Sequence, residues 1–209
     1  MRLGAQAPAP VLARAQSMTM EWLKDASRRR RQIARLPVMP DYFLRTARLG
    51  FRQWSINDLP LALDLWGDPE VSRFLGGPFS REAIEEKLTK EIATLSAHQI
   101  QYWPIFLLAN NDHVGCAGLR PYRPQEQIYE LGYHLRRQYW GMGLAEEAGR
   151  AVVNFAFENL GAKALFAGHH PENSASKRVL EKLGFHFTHE ELYPPTGLMN
   201  PSYLLTRRL

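Results

Sequence analysis

The chain has 209 residues, of which 45% are hydrophobic and 22% are charged, a length and balance typical of one globular domain with a buried core. Its longest apolar run, Trp103 to Ala109, is much shorter than the ~18 residues that a membrane-spanning helix needs, so we expect no membrane partner. Cys116 is the only cysteine, which excludes an intrachain disulfide and favours a reducing, cytoplasmic location.

The net charge of +5 is unevenly distributed along the chain. Residues 1–40 hold eight Lys or Arg and two Asp or Glu, whereas residues 41–209 hold eighteen and nineteen. The basicity therefore belongs to an N-terminal extension, and a basic domain face for nucleic acid is not indicated. We divide the chain into this extension, 1–40, and one domain, 41–209, with Pro37 and Pro40 at the boundary.

The extension permits three interpretations. Residues 1–17 are rich in Ala and Pro and lack acidic residues, which predicts disorder, and a weakly amphipathic helix is compatible with Met18 to Leu36. In the first interpretation, the segment is a dispensable tail, or an over-long start whose true first residue is Met18 or Met20. Alternatively, it is an arm that binds a partner or ribosomal RNA, or a presequence of the mitochondrial type.

Strands and helices are predicted in alternation from Leu44 onward. Ser55 and Ser80 are predicted to cap the first two helices, and polar, Pro-rich turns between the three central strands predict an antiparallel meander. The fold class is therefore α/β, with one mixed, mostly antiparallel twisted sheet of about seven strands and about four flanking helices. Predicted strands cover 49–53, 102–108, 114–120, 127–135, 164–167, 185–188 and 202–206, and helices begin near 56 and 80 and cover 143–159 and 173–183.

A glycine-bearing turn links the predicted strand that ends near Leu135 to the helix that begins near Gly143. The first amides of a helix lack intrahelical acceptors and carry the positive end of the helix dipole, so a pyrophosphate suits them. Gly141 and Gly143 would let the backbone approach phosphate oxygens and adopt a positive φ. A plain strand-to-helix turn is the alternative. A dinucleotide-binding turn fits worse, because Glu146 stands where it wants a third Gly or Ala.

Two separated motifs match a known family pattern, and softer matches accompany them. The motifs are Gln138-Tyr-Trp-Gly-Met-Gly143, and Asn173-Ser-Ala-Ser176 followed by Glu181-Lys-Leu-Gly-Phe185. The softer matches are Leu44-Arg-Thr-Ala-Arg48, Asp68-Pro-Glu-Val71 and Glu130-Leu-Gly-Tyr133. On these residues, which follow one another in the expected order, the sequence resembles the GNAT superfamily of N-acetyltransferases. Within it, the sequence looks most like the branch that contains the ribosomal-protein alanine acetyltransferases.

This resemblance implies a GNAT fold whose splayed central strands bind acetyl-CoA. Pantetheine would lie along the end of strand 127–135, and the pyrophosphate on amides from Gln138 through Leu144. Asn173 would reach the pantetheine arm, cap its own helix, or do both. No metal is expected, because His169 and His170 are adjacent on a strand and point to opposite faces. The implied cofactor-binding residues are Leu135, Arg136, Arg137, Gln138, Gly141, Met142, Gly143, Leu144 and Asn173.

Acetyl transfer needs an uncharged amine, so a base must take a proton from the acceptor. Glu130 is the candidate base by its match to this branch, and His134 is the reserve; the alternatives are an exposed strand glutamate and a packed histidine. Many GNAT enzymes place an acid tyrosine seven residues after the Asn, where this sequence has Leu180. That leaves Ser176 as the candidate donor to the departing thiolate, unless it only bonds within its helix.

The acceptor is expected to be a primary amine, on a protein N-terminus or on a small cationic molecule. Acidic residues in the regions where the acceptor of a GNAT enzyme enters favour a cation, although a solvated surface also explains them. The rival hypothesis is a non-catalytic coenzyme A sensor whose basic arm docks a partner, and Leu180 keeps it open. A homodimer is left open as well. The acidic residues are Glu82, Glu85, Glu86, Glu190 and Glu191.

Overall fold

The computed structural model describes residues 41–207; the extension 1–40, with its predicted helix, lies outside the described residues. The described part of the chain forms eight strands and five α-helices. The strands are β1 Leu44–Arg45, β2 Leu49–Phe51, β3 Tyr102–Leu107, β4 His113–Arg123, β5 Ile128–Leu135, β6 Ala164–Gly168, β7 His186–Tyr193 and β8 Leu198–Thr206. The helices are α1 Leu59–Trp66, α2 Pro69–Ser72, α3 Arg81–His98, α4 Leu144–Asn159 and α5 Ser174–Leu183.

The strands form one mixed sheet in the order β1-β2-β3-β4-β5-β6-β8-β7. All neighbours are antiparallel except β5 and β6, which are parallel. The parallel pair is short, because only Ile128, Tyr129 and Glu130 of β5 have partners on β6. From Leu131 to Leu135, β5 pairs with β4 alone. The two central strands therefore diverge after Glu130, and the sheet has an opening at its centre.

Two apolar clusters cover the two faces of the sheet. Trp103 and Ala117 belong to the cluster that includes α4 and α5, whereas Tyr102 and Cys116 belong to the cluster that includes α1 and α3. Successive residues of a strand point to opposite faces, so this alternation assigns α4 and α5 to one face and α1 and α3 to the other. The sheet is consequently a middle layer, and its central opening lies between two packed layers of helices.

The predicted α/β class and the mixed, mostly antiparallel sheet are confirmed, with small corrections to the count. The sheet has eight strands instead of about seven, because Leu44–Arg45 pairs with Phe51 and Gly50, and two residues are too few to show a period in sequence. The described part of the chain also has five α-helices instead of about four, because α2, Pro69–Ser72, was not predicted. It is a single turn capped by the Asp68 carboxylate. The first predicted helix opens as a 3-10 turn at Ile56–Asp58. β7 extends to Tyr193, beyond the predicted 188, and its residues are mostly exposed.

A helix that could cross a membrane would have to be both long and apolar. Among residues 41–207 none combines the two properties.

Candidate active site

A cavity of about 810 Å³ follows the opening between β5 and β6. β5 lines one side of the cavity from Glu130 to Leu135. The start of α4 and the first turns of α5 line a second part of it. Loops from the α1–α3 region and from the β7–β8 hairpin border the rest of the cavity. The volume lies in the range of small-molecule and cofactor sites.

The turn after β5 borders this cavity and contains backbone amides without partners in residues 41–207. A 3-10 turn at Arg137–Tyr139 follows the strand, and α4 begins at Leu144 without a side-chain cap. Gly141 and Gly143 have φ values of +74° and +73°, in the region that favours glycine. Within the described residues, the amides of 141–146 donate no hydrogen bond. These donors are therefore available to an anion, and the dipole of α4 favours one there.

Hydrogen bonds from three side chains, together with one ion pair, stabilise the turn and the start of α4. The Trp140 indole donates to the carbonyl of Leu135 at 2.7 Å. Arg48 donates to the Met142 carbonyl at 2.9 Å and forms an ion pair with Glu147 of α4 at 2.6 Å. Thr46 donates to the same carboxylate at 2.5 Å. The predicted motif at 44–48 thus fastens the first strands to the start of α4, a role that the sequence did not reveal.

The predicted cofactor residues divide into two groups in the structure. Leu135, Gly141, Gly143, Leu144 and Asn173 line the cavity, whereas Arg136, Arg137, Gln138 and Met142 do not. The Arg136 guanidinium lies 3.5 Å from the Asp64 carboxylate and donates to the His113 carbonyl at 3.2 Å. Its charge is therefore engaged on the α1 side of the sheet rather than at the turn. Asn173 caps α5, since its Oδ1 accepts from the Ser176 amide at 3.0 Å.

Glu130 lies at the point where the central strands diverge, and its side chain lines the cavity. Its cross-strand neighbour is Arg120 of β4. Burial raises the pKa of the Glu130 carboxyl, although Arg120 and the Tyr102 hydroxyl oppose the increase. A carboxylate with a raised pKa binds a proton from an amine more readily than an ordinary glutamate does.

Arg120 is held by a second carboxylate that sequence reasoning missed. Glu91 of α3 is 1% exposed, forms a short ion pair with Arg120 and accepts from the Tyr102 amide at 2.8 Å. Arg120 also stacks 4.1 Å from the Tyr102 ring. The sequence carried one signal, because Glu91 follows Leu88 by three residues and so shares the apolar face of its helix.

His134, the reserve base, is occupied by neighbouring side chains. The Trp66 indole donates to Nδ1 at 3.1 Å, and Cys116 Sγ lies 3.6 Å from the same nitrogen. Because an indole N–H only donates, Nδ1 carries no hydrogen and the proton resides on Nε2. Burial, aided by Lys87 and Arg120, holds the pKa of His134 well below its usual value. This geometry favours Glu130 over His134 as the base.

The comparison with family models identifies the domain to which the fold belongs. Residues 48–186 match the model described as Acetyltransferase (GNAT) domain. The chain belongs to the GNAT acetyltransferase family. Members of this GNAT family transfer acetyl groups from acetyl-CoA.

Relatives and solved structures agree with this assignment. An uncharacterized N-acetyltransferase, p20, of Bacillus licheniformis is 28% identical over 144 residues, which are 68% of this chain and 81% of that protein. An FsC-acetyl coenzyme A-N(2)-transacetylase of Aspergillus fumigatus is 29% identical over 171 residues, 74% of this chain and 71% of that protein. An acetyltransferase structure from Agrobacterium tumefaciens has a TM-score of 0.68 and 26% identity, and covers 78% of this chain and 94% of its own.

A ribosomal L7/L12 alpha-N-protein acetyltransferase, solved in complex with coenzyme A, has the same fold. Its TM-score is 0.67 at 17% identity, covering 77% of this chain and 95% of that one. At this identity the likeness establishes the GNAT fold alone.

Ser176, the candidate donor to the leaving group, and a buried leucine both border the cavity on α5. Leu180 is 1% exposed and packs in the core with α4 and the sheet, so it presents no polar group where many GNAT enzymes have a tyrosine. Ser176, one turn earlier on α5, lines the cavity. The Tyr133 hydroxyl of β5 lies 3.0 Å from Ser176 Oγ, a contact that the sequence analysis did not foresee.

The lining of the cavity, where the acceptor is expected, carries charges of both signs. Of the five acidic residues that the sequence analysis named there, only Glu191 lines the cavity, and it accepts from the Tyr122 hydroxyl at 3.1 Å. The cations Lys87 and Arg120 line it as well. Trp54 and Trp66 are buried in the core. His169 and His170 were predicted to lie on a strand, but β6 ends at Gly168 and both follow it. His169 bonds to the His170 carbonyl and lies 3.2 Å from the Tyr203 hydroxyl, and residues 41–207 contain no cluster suited to a metal ion.

Proposed function

We propose that this GNAT protein is an acetyl-CoA-dependent N-acetyltransferase that acts on a primary amine by direct attack. The observation that carries the proposal is one cavity in which three features meet. These are the divergent end of β5, a turn with unpartnered amides, and the Glu130 carboxylate with its raised pKa.

The residues present fit acetyl-CoA. The amides of 141–146 suit a pyrophosphate, and β5 from Leu131 onward has one edge without a strand partner, which suits the amides of pantetheine. The Oδ1 atom of Asn173 accepts the hydrogen bond that caps α5, so its Nδ2 can donate to the pantetheine of the cofactor. When bound, acetyl-CoA supplies an acetyl group activated as a thioester.

Glu130 would take the proton from the attacking amine. A primary amine is mostly protonated at neutral pH and attacks only as the free base, and a positioned base typically contributes ~10²–10⁴-fold. The position of Glu130 at the divergence of β5 and β6 supports this role, because the cavity is open to an acceptor there. His134, with Nδ1 already accepting from Trp66, keeps only its Nε2 hydrogen to orient the acceptor.

Ser176 would donate a hydrogen bond to the sulfur as the carbon–sulfur bond breaks. A hydrogen bond to a charged acceptor is roughly twice as strong as a neutral one, so this donor matters most when the sulfur becomes a thiolate. Its location on the first turn of α5, in the cavity wall, supports the role.

The acceptor we propose is a protein N-terminal amine or a small cationic amine. The motifs at Gln138–Gly143 and Asn173–Phe185 support placement near the ribosomal-protein acetyltransferases, and Glu191 in the cavity wall suits a cation. We also propose that residues 41–209 form the acetyltransferase domain and that residues 1–40 are a basic N-terminal extension to it.

A non-catalytic coenzyme A sensor is the second candidate. The buried Leu180 favours it, because this side chain cannot protonate a thiolate. A sensor would bind the cofactor and show no release of free thiol with any amine.

Thermal unfolding of the full chain with and without acetyl-CoA tests the proposal first. A ligand at 100 times its Kd adds about 2.7 kcal/mol to the free energy of unfolding, and a saturable rise in Tm would support the cofactor site. A screen of N-terminal peptides and polyamines for released thiol then separates enzyme from sensor. No rise in Tm with protein free of co-purified coenzyme A would refute both.

A further inference from the structure

Tyr133 has a hydroxyl in the cavity that the mechanism above does not use. The residue lies on β5 and faces α5, where its hydroxyl lies 3.0 Å from Ser176 Oγ and 3.2 Å from the Ser176 carbonyl oxygen. Its ring packs against the cluster that contains Leu180. Strand and helix thus bring two hydroxyls together next to the position where the family's acid tyrosine is replaced.

Each of the two hydroxyls has one hydrogen, and the direction of one O–H bond constrains the direction of the other. The phenol stays protonated, because burial raises the pKa of Tyr133. Its single hydrogen is directed either to the Ser176 carbonyl or to Ser176 Oγ. When it is directed to Oγ, the hydrogen of Ser176 is free for a third group.

We propose that Tyr133 is a positioning residue that directs the Ser176 hydrogen toward the sulfur of the departing coenzyme A. This inference rests on the proposed function, since it requires acetyl-CoA to occupy the cavity. Tyr133 donates to Ser176 Oγ, and Ser176 donates to the sulfur. Tyr133 on β5 and Ser176 on α5 together supply the hydrogen bond to sulfur that Leu180 cannot give.

The step is balanced without a change of protonation in either hydroxyl. The amine nitrogen forms its bond to the acetyl carbon, the carbon–sulfur bond breaks, and its electron pair stays on sulfur. Glu130 takes the proton of the amine, and the thiolate takes its proton from solvent after the hydrogen bond from Ser176 has stabilised it. A phenol with a raised pKa suits this role, because it donates a hydrogen bond without losing its proton.

The pKa of the thiol of bound coenzyme A reports this hydrogen bond without any turnover. We would follow the ultraviolet absorbance of the thiolate against pH, with coenzyme A saturating the wild type, Tyr133→Phe, Ser176→Ala and the double variant. Cys116 is the only thiol of the chain, and burial raises its pKa to about 12, so it does not titrate with the ligand. Tyr129→Phe is the matched control, because Tyr129 is a half-buried tyrosine of the same strand outside the cavity lining.

We expect the bound thiol to titrate below free coenzyme A in the wild type and in Tyr129→Phe. Tyr133→Phe should raise its pKa by about one pH unit, since one hydrogen bond to a charged group is worth about a tenfold change. Ser176→Ala should raise it at least as far, and the double variant no further than Ser176→Ala. With an accepted amine, Tyr133→Phe should lower kcat about tenfold and leave KM for acetyl-CoA unchanged.

Two results would overturn the inference and leave the proposed function intact. One is a bound thiol whose pKa is the same in Tyr133→Phe and the wild type. The other is a pair of single variants whose effects add fully in the double variant, because independent effects mean that Tyr133 does not act through Ser176. Absence of coenzyme A binding to the wild type, measured by calorimetry, would instead refute the proposed function, and the inference with it.

Discussion

The side chain on which the proposed chemistry depends most is Glu130. It acts only in its deprotonated form, and burial raises its pKa while Arg120 opposes the increase. The rate should therefore rise with pH through a pKa higher than that of an ordinary glutamate. Both effects come from the position of Glu130, opposite Arg120 and at the last paired residue of β5 and β6.

Replacing Glu130 by Gln tests this assignment. The amide keeps the size of the side chain but cannot take a proton, so we expect kcat to fall by ~10²–10⁴-fold. The affinity for acetyl-CoA should change little, because the proposed cofactor contacts lie on the turn at 141–146 and on Asn173. The acidic limb of the pH–rate profile should disappear. Steady-state kinetics across pH and calorimetry with acetyl-CoA measure the two effects separately.

Glu172→Gln is the control for this variant, since Glu172 is an exposed carboxylate that also lines the cavity. It should keep the wild-type rate. If Glu130→Gln retained full turnover, Glu130 would not be the base.

At the scale of elements, the turn between β5 and α4 depends on glycine for its conformation. A Cβ at Gly141 would meet no atom within 4 Å, but its φ is +74°. Gly141→Val should therefore force the turn out of this conformation, at a cost of about 1–2 kcal/mol, and turn the amides away from the cavity. We expect at least tenfold weaker binding of acetyl-CoA by calorimetry.

Gly161→Val is a matched control. Gly161 also has a positive φ, +64°, a Cβ added there would meet no atom within 4 Å, and the residue lies outside the cavity lining. The variant should lose similar stability and keep its affinity for acetyl-CoA. Equal affinities of the two variants for acetyl-CoA would mean that the turn does not bind the cofactor.

The ion pair between α3 and β4 joins two further elements. Glu91 is 1% exposed and Arg120 lines the cavity, so removing one partner leaves a largely buried charge. Because Glu130 still lies opposite Arg120, Glu91→Leu should destabilise the fold by no more than about 3 kcal/mol, and adding Arg120→Met should recover part of that loss. Urea unfolding of the two variants measures both values. A double variant no more stable than Glu91→Leu would contradict this account.

Local signals were enough to predict most elements. Ser80 Oγ accepts from the Ala83 amide at 3.3 Å, as its position before α3 predicted, and the strand, glycine turn and helix around Gly141 occur where the pattern placed them. β1 was missed, because a two-residue strand is defined by its pairing with β2 rather than by its own residues. The end of β7 was missed for a related reason, since its exposed residues lack apolar alternation.

The composition of the site was less predictable than its location. Glu130, His134 and Ser176 were all named from the sequence, but the partners of His134 and Ser176 lie far away along the chain. The indole of Trp66 meets His134 across 68 residues, and Tyr133 meets Ser176 across 43. Such contacts are consequences of how helices pack on the sheet, which local patterns in the sequence do not reveal.

At the scale of the whole molecule, one buried histidine should make stability depend on pH. His113 begins β4, is 4% exposed and lies between the rings of Trp54 and Phe106. Within the described residues, neither ring nitrogen makes a well-aligned hydrogen bond, and the nearby Gly115 backbone only partly offsets the effect of burial on the pKa of His113. Burial, with the charges of Arg136 and Arg52, lowers its pKa from 6.5 to about 4.

The sign of the effect follows from proton binding. Between pH 6.5 and about 4, the unfolded chain protonates His113 and the folded domain does not, so a fall in pH favours unfolding. The contribution is fully present above pH 6.5 and is lost as pH falls toward 4. A pKa difference of this size corresponds to about 3 kcal/mol.

Replacing His113 by Leu should remove this part of the pH dependence, since the apolar side chain does not titrate among the same aromatic neighbours. Urea unfolding of the wild type and the variant from about pH 7.5 to about pH 4.5 would measure it as a difference between the two curves. Other titrating groups are common to both proteins and cancel in that difference. His186→Leu, at an exposed position, should follow the wild type. Parallel curves for the wild type and His113→Leu would mean that His113 accepts a proton in the folded domain as readily as in the unfolded chain.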